Sequence, residues 1–253
     1  MACRNIGIEN KHGYFPNPSH YDEMMDLAQP RPHYQDISGW LEETPLESLL
    51  SKRQQADTRF RQEGITFTVY GDNAGTERLI PFDMIPRVIP ASEWAVMAKG
   101  CEQRVKALNA FLHDVYHEQK IIKAGIIPAE QVLANEHYQA LMKGLTLPHN
   151  IYAHIAGIDL VRHSDGTYYV LEDNLRTPSG VSYMLENRKM TERLFPDLVA
   201  KHKVLPVSHY PDYLKTTLNE ASLIQGATIA VLTPGRFNSA FFEHAFLARS
   251  MGV

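Results

Sequence analysis

The run Gly157-Ile-Asp-Leu-Val-Arg-His-Ser-Asp-Gly-Thr-Tyr-Tyr-Val-Leu-Glu-Asp-Asn constrains the chain more than any other stretch. Two segments of strand-forming residues flank Asp165-Gly166, the pair that best tolerates the positive φ angles of a two-residue turn, so the run reads as a β-hairpin. Turning there sets Asp159 directly opposite Glu172, and Asn174 projects from the same face because side chains alternate along a strand. The other face receives Ile158, Leu160, Tyr169 and Leu171, while Val161 and Val170 line the base of the polar side. Asp173 departs from the alternation. A three-residue loop would shift the register and move Glu172 off Asp159.

Like charges placed opposite each other destabilise a sheet, so the carboxylate pair needs a proton, a basic neighbour or a cation. Asp159, Glu172 and Asn174 offer hard oxygen donors, which favour Mg²⁺ completed by substrate phosphates. The following turn, Leu175-Arg176-Thr177-Pro178-Ser179-Gly180, adds a cation and backbone donors able to receive a phosphate or carboxylate. The spacing alone is equally consistent with solvated acids on the open face of an ordinary hairpin.

The rest of the chain bounds the setting. Its 253 residues, 44% hydrophobic and 21% charged, suit a globular protein with a substantial core. With 25 Lys+Arg against 29 Asp+Glu, the net charge of −4 gives no reason to approach nucleic acid or anionic lipid. Cys3 and Cys101 make no metal or disulfide pattern, and no apolar run is long enough to span a membrane. These features point to a cytoplasmic protein whose partners are small molecules or proteins, with assembly into an oligomer left open.

An α+β organisation is expected. Residues 1–43, rich in Pro, Asn, His and Tyr, read as an irregular arm. Thr44-Pro45-Leu46-Glu47 reads as a capping box opening a helix over about 45–63, with Leu46, Leu49, Leu50 and Phe60 on one face. A hairpin pairs 65–70 with 77–80 around Gly71-Asp-Asn-Ala-Gly. A long helix from Ser92 carries Trp94, Met97, Cys101, Val105, Leu108 and Val115 at helical spacing. A strand over 151–155 precedes the metal-site hairpin; helices to Phe195 and over 211–222 follow it. The strand 228–232 and a helix over 239–250 look like the first βα step of a doubly wound unit that stops before its partner strand. The domains expected are thus the arm at 1–43, a metal-site lobe at 44–225 and a truncated Rossmann-like start at 226–253.

The hairpin, with Asp159 thirteen positions before Glu172-x-Asn174, resembles the metal-binding signature of ATP-grasp ligases such as D-alanine–D-alanine ligases and glutathionylspermidine synthetases. The wider run, Ile155-Ala-Gly-Ile-Asp-Leu-Val-Arg and Tyr169-Val-Leu-Glu-Asp-Asn-Leu-Arg-Thr-Pro-Ser-Gly, is closer still to the circularly permuted ATP-grasp type 2 proteins. So are Gly64-Ile-Thr-Phe-Thr-Val-Tyr-Gly, Pro81-Phe-Asp-Met-Ile-Pro-Arg and Asn238-Ser-Ala-Phe-Phe-Glu-His-Ala-Phe.

That resemblance implies an ATP-grasp lobe and ATP-dependent joining of a carboxylate, small-molecule or peptide, to an amine through an acyl phosphate. It implies Asp159, Glu172 and Asn174 as Mg²⁺ ligands, with Asn174 and Arg176 on the nucleotide side. D-alanine ligases place an Arg two residues before the Asp; Gly157 stands there here, so Arg176, or second Arg87, is expected to stabilise the developing oxyanion. In permuted members the nucleotide-clamping lobe follows the Rossmann-like segment, and no Walker loop replaces it in this chain. An inactive fragment or binding module of the same fold is therefore one alternative. A zinc hydrolase built on His113-Asp-Val-Tyr-His117 is another, given two His at i and i+4.

Overall fold

Among the described residues helices outnumber strands, because apolar residues recur at helical spacing between Pro and Gly boundaries. The structure, a computed structural model, describes residues 17, 19–26, 29–68 and 77–253. A short ladder of β1 (Met25–Asp26) on β2 (Gln29–Pro30) leads through a 3-10 turn to α1 (Gln35–Glu43). The irregular arm expected up to residue 43 is corrected here. Ile37, Trp40 and Leu41 lie three and four residues apart on one helix face, and Ile37 is fully buried. The stripe is one turn long and interrupted by Gly39, too short to stand out as a period.

Helix α2 (Leu46–Glu63) ends at Gly64, whose φ of 67° lets its N–H reach the carbonyls of Phe60 and Arg61. Its expected capping box is not formed. Only Pro45 separates Thr44 from α2, and the Thr44 hydroxyl donates back to the Trp40 carbonyl at 2.6 Å, closing α1 instead. The buried part of α2 is its C-terminal half, at Ala56 and Phe60, while Leu46 and Leu50 are exposed. Beyond it, β3 (Thr66–Thr68) pairs antiparallel with β4 (Glu77–Leu79). The turn expected at 71–75 lies outside the described residues.

Helix α3 (Ala91–Tyr116) carries the expected stripe. Met97 and Val115 are buried, but Cys101, Val105 and Leu108 are only half-covered and Trp94 is exposed. Short helices α4 (Lys120–Lys123) and α5 (Ala129–Leu133) follow. The strand expected over 151–155 is absent. Asn109 of α3 takes that backbone instead: its Oδ1 accepts from Tyr152 N at 2.7 Å and Ala153 N at 3.0 Å, and its Nδ2 donates to the Ala153 carbonyl at 3.2 Å. A side-chain amide thus does locally what a partner strand would do.

Strands β5 (Gly157–Arg162) and β6 (Tyr168–Asn174) form the third two-stranded antiparallel sheet among the described residues. Then come α6 (Val181–Leu194), α7 (Pro196–Lys201), α8 (Tyr210–Ala221) and α9 (Phe241–Met251). Pro196 ends α6 and, at the first position of α7, also starts the next helix. Residues 228–232 form no strand: no described strand lies beside them, and Leu232 is 90% exposed. Helix α9 packs on α6 and α8, with the Phe242 ring stacked on Tyr183 at 5.4 Å.

The core joins the first helices to the later ones. Tyr34, Ile37, Ala56, Phe60, Ile65 and Phe82 pack with Met190, Leu194, Phe195 and Leu198 of the α6–α7 region. Phe60 meets Phe82 edge-on, with ring centroids 5.7 Å apart, and burying such a side chain stabilises by roughly 1.5–3 kcal/mol. Among the described residues no helix is long and apolar enough to cross a membrane.

Candidate functional site

The β5–β6 hairpin turns differently from the expectation and still delivers the expected pair. His163 N donates to the Thr167 carbonyl and Gly166 N to the His163 carbonyl, both at 2.9 Å, so the loop has three residues, Ser164 to Gly166. Gly166 takes φ 87°, the left-handed position such a loop requires. The longer loop pairs Arg162 with Tyr168, Val161 with Tyr169 and Leu160 with Val170. Left alone, it would carry Glu172 past Asp159. A β-bulge between Asp159 and Leu160 on one strand, leaving Leu171 unpaired on the other, restores the register, and Asp159 pairs with Glu172.

Between loop and bulge the faces are exchanged relative to the expectation. Val170 and Tyr168 share the side of Leu160 and Arg162, which faces α3 across an open groove of about 800 Å³. Tyr169 pairs with Val161 on the carboxylate side and is 52% exposed, and Leu171 in the bulge is 68% exposed. Asp173, whose departure from the alternation is apparent in the sequence, reaches α3, where Arg104 Nε donates to its two oxygens at 2.7 and 2.8 Å. The hairpin is pinned to α3 by that pair, and the Arg104 guanidinium holds the Asp173 carboxyl below the usual carboxylate range.

On the opposite face Asp159, Glu172 and Asn174 are exposed, and Asn174 Nδ2 donates to Glu172 Oε1 at 3.0 Å. That bond uses the amide nitrogen and leaves the amide oxygen as a donor atom. Neither carboxylate carries an ion pair among the described residues. Among the described residues no third His, Cys, Asp or Glu joins them. The set therefore suits a hard divalent cation that keeps several water or phosphate oxygens, as Mg²⁺ does, and would not suit a metal needing an all-protein cage.

Arg87 and Arg176 are placed differently. Arg87 is clamped to Glu23, Nε to Oε2 and Nη2 to Oε1, both at 2.6 Å. Arg162 joins this cluster, reaching Glu23 Oε1 at 3.3 Å and Glu93 Oε1 at 3.1 Å. Arg162 lies three residues from Asp159 on β5, hence on the other face of the hairpin, so this cluster, Arg87 included, is not brought to the carboxylates. Arg176 is exposed in the turn after Asn174 and makes no ion pair among the described residues.

The Glu23 cluster carries a pH signature. Burial pushes the Glu23 carboxyl up, but hydrogen bonding and charge from Arg87 and Arg162 more than offset this and hold it below its ordinary value of 4.5. A lowered carboxyl contributes stability that is fully present above its unfolded value and lost as pH falls through the folded one. The difference in unfolding midpoint between the native chain and Glu23→Gln should stay constant from neutral pH down to about 4.5 and shrink below it. Thermal melts across that range would show it.

Helix α6 begins just past the turn, and its N-terminus is occupied by a residue that the sequence expectations do not include. Glu243 of α9 accepts hydrogen bonds from Gly180 N and from both the N and Oγ of Ser182. The signal for it is an acid three residues before Phe246, on the buried face of α9.

The zinc reading is overturned. His113 and His117 stack on each other at 4.2 Å, and Asp114, which would act as base, instead accepts from Lys120 N and Ile121 N at 2.9 Å each at the start of α4. Among the described residues no third ligand of the His, Cys, Asp or Glu type accompanies them.

Residues 86–253 match a family described as a circularly permuted ATP-grasp, and the chain belongs to that family. An uncharacterized protein of Synechocystis sp. is 43% identical over 236 residues, covering 92% of this chain and 49% of its own length. A Mycobacterium tuberculosis protein is likewise 43% identical over 236 residues, with 42% of its length covered. A Frankia alni protein named "Putative glutamate--cysteine ligase 2-3" is 40% identical over 242 residues, covering 93% of this chain and 28% of its own. The chain thus spans about half the length of these relatives or less. At the family level this is the fold of ATP-dependent ligases, which work with ATP and a divalent metal.

Proposed function

We propose that this chain carries the metal-binding hairpin of a ligase that joins a carboxylate to an amine at the expense of ATP, with Asp159, Glu172 and Asn174 holding Mg²⁺. The observation that carries the reading is the opposed Asp159–Glu172 pair on an open face, with Asn174 bonded to Glu172 and no ion pair to either carboxylate among the described residues. Two bare carboxylates in that arrangement repel, and a divalent ion is what turns the repulsion into binding. When bound, the ion supplies neutralisation of the nucleotide phosphates during phosphoryl transfer.

The chain's own residues hold and orient. Asp159 and Glu172 fix the ion against the hairpin, Asn174 holds Glu172 in place, and Arg176 lies at the same end to receive a phosphate or the developing oxyanion. The substrate carboxylate attacks the terminal phosphorus of ATP and ADP leaves. The amine nitrogen then attacks the acyl carbon, and phosphate leaves. The acid is a small molecule or peptide, in keeping with the Frankia relative's name, which joins glutamate to cysteine. Residues 44–225 form the metal-site lobe in this reading, helix α9 packs on it rather than opening a Rossmann-like unit, and the protein works in the cytoplasm.

Screening acids and amines for ADP release, on the polypeptide extended to its relatives' length, tests the reading. Release should require both an acid and an amine and be lost in Asp159→Asn. Release untouched by that substitution would place the metal elsewhere.

A further inference from the structure

We infer that Glu243 is a positioning residue that locks the turn behind Glu172 and Asn174 and thereby sets the spacing of the cation ligands. The cation half of this inference rests on the ligase reading. Glu243 is 5% exposed, and its carboxylate accepts from Gly180 N at 2.8 and 2.9 Å, from Ser182 N at 3.0 Å and from Ser182 Oγ at 2.6 Å. Ser182 is fully buried. A buried carboxylate is costly unless its oxygens are well bonded, and here the unpaired N–H groups and positive end of α6 supply what a counter-ion otherwise would.

The cap has to come from a distance. Gly180 stands at the N-cap of α6 with φ 102°, a conformation that side-chain-bearing residues rarely adopt, so the usual Ser or Asp cap has no place there. Glu243, in the first turn of α9, fills the role. Two residues before Gly180, Pro178 leans on the end of the metal hairpin. A Cβ placed on Gly157 would stand 2.9 Å from Pro178 Cβ and 3.4 Å from Asn174 Cβ, and Gly157 is the cross-strand partner of Asn174. Contact therefore runs from Glu243 through Gly180 and Pro178 to the Gly157–Asn174 pair, and by the Asn174 amide to Glu172. The last helix completes a site whose ligands lie far earlier in the chain.

The test compares the intact chain with Glu243→Gln, Glu243→Ala and, as a control, Arg249→Ala, an exposed change on the same helix. Amide exchange at Gly180 and Ser182 is read by NMR, and Mn²⁺ affinity by paramagnetic titration. In Glu243→Gln the oxygen kept in the Oε2 place still accepts from Ser182 and stays 2.9 Å from Gly180 N, but the new NH₂ in the Oε1 place meets that N–H donor against donor and removes the shorter branch of the shared bond. That variant should unfold as cooperatively as the native chain, yet exchange at Gly180 about tenfold faster and bind Mn²⁺ about tenfold more weakly, the usual reach of a residue behind a metal ligand. Glu243→Ala should exceed both effects, and Arg249→Ala should show neither. Unchanged exchange, or faster exchange with Mn²⁺ affinity intact, overturns the inference. A native chain that binds no Mn²⁺ while Gly180 exchange still responds overturns the ligase reading and leaves Glu243 as the lock of the turn.

Discussion

Glu172→Gln is expected to lower metal-dependent ADP formation by about a hundredfold or more, equivalent to about 2.7 kcal/mol of transition-state stabilisation, without lowering the unfolding midpoint. The separation of the two effects follows from where Glu172 sits. It is exposed, carries no ion pair among the described residues and accepts one hydrogen bond from Asn174, which the Gln oxygen can still accept. Removing one of two opposed carboxylates also relieves a cross-strand repulsion of roughly 0.2–1 kcal/mol, so the hairpin should be as stable or slightly more so. A bound divalent ion, by contrast, loses one of its two charged ligands. Steady-state rates over a Mg²⁺ series, with melts of both proteins, check the prediction. A loss within about threefold at saturating Mg²⁺ would mean that Glu172 is a solvated acid on an ordinary strand.

How much of this site is legible in the sequence depends on which physical scale each residue answers to. Alternation and the Asp165-Gly166 pair are local and mark the hairpin, but the Asp159–Glu172 pairing that a two-residue turn predicts is met only because a bulge offsets a three-residue loop. Loop length and the bulge at Leu171 are not local. Each shifts the register by one residue, in opposite senses, so the pairing survives while Tyr169 and Val170 exchange faces between them. Helices with a long stripe bounded by Pro or Gly at one end or both are readable, as α2, α3, α6, α8 and α9 attest. Residues 151–155 and 228–232 have strand-like composition, but a strand exists only with a neighbour. Asn109 intercepts the first, and no described strand lies beside the second. Glu243 is hidden for a related reason: its role appears only when α9 meets the start of α6.

The second large effect is expected at Gly157, the position at which the resemblance to D-alanine ligases would place an Arg. Restoring that Arg should damage this protein. The obstacle is the first side-chain carbon, not the guanidinium: at 2.9 Å from Pro178 Cβ it would overlap a ring that cannot swing away, and at 3.4 Å it would also crowd Asn174. Either Pro178 and its turn shift or the last rung of the β5–β6 ladder opens, and both moves carry Asn174 away from Glu172. Gly157→Ala should therefore already cost about 1–3 kcal/mol, as overpacking of a close contact does, and weaken Mn²⁺ binding, with Gly157→Arg adding little beyond it. Urea unfolding and Mn²⁺ titration of both variants measure this. A neutral Ala with a damaging Arg would show that Pro178 yields easily and that the guanidinium itself is at fault. If Ala is costly, close packing of Pro178 has taken the place the Arg would occupy, and the cation serving the oxyanion has to enter from the turn beyond Asn174, where Arg176 stands exposed.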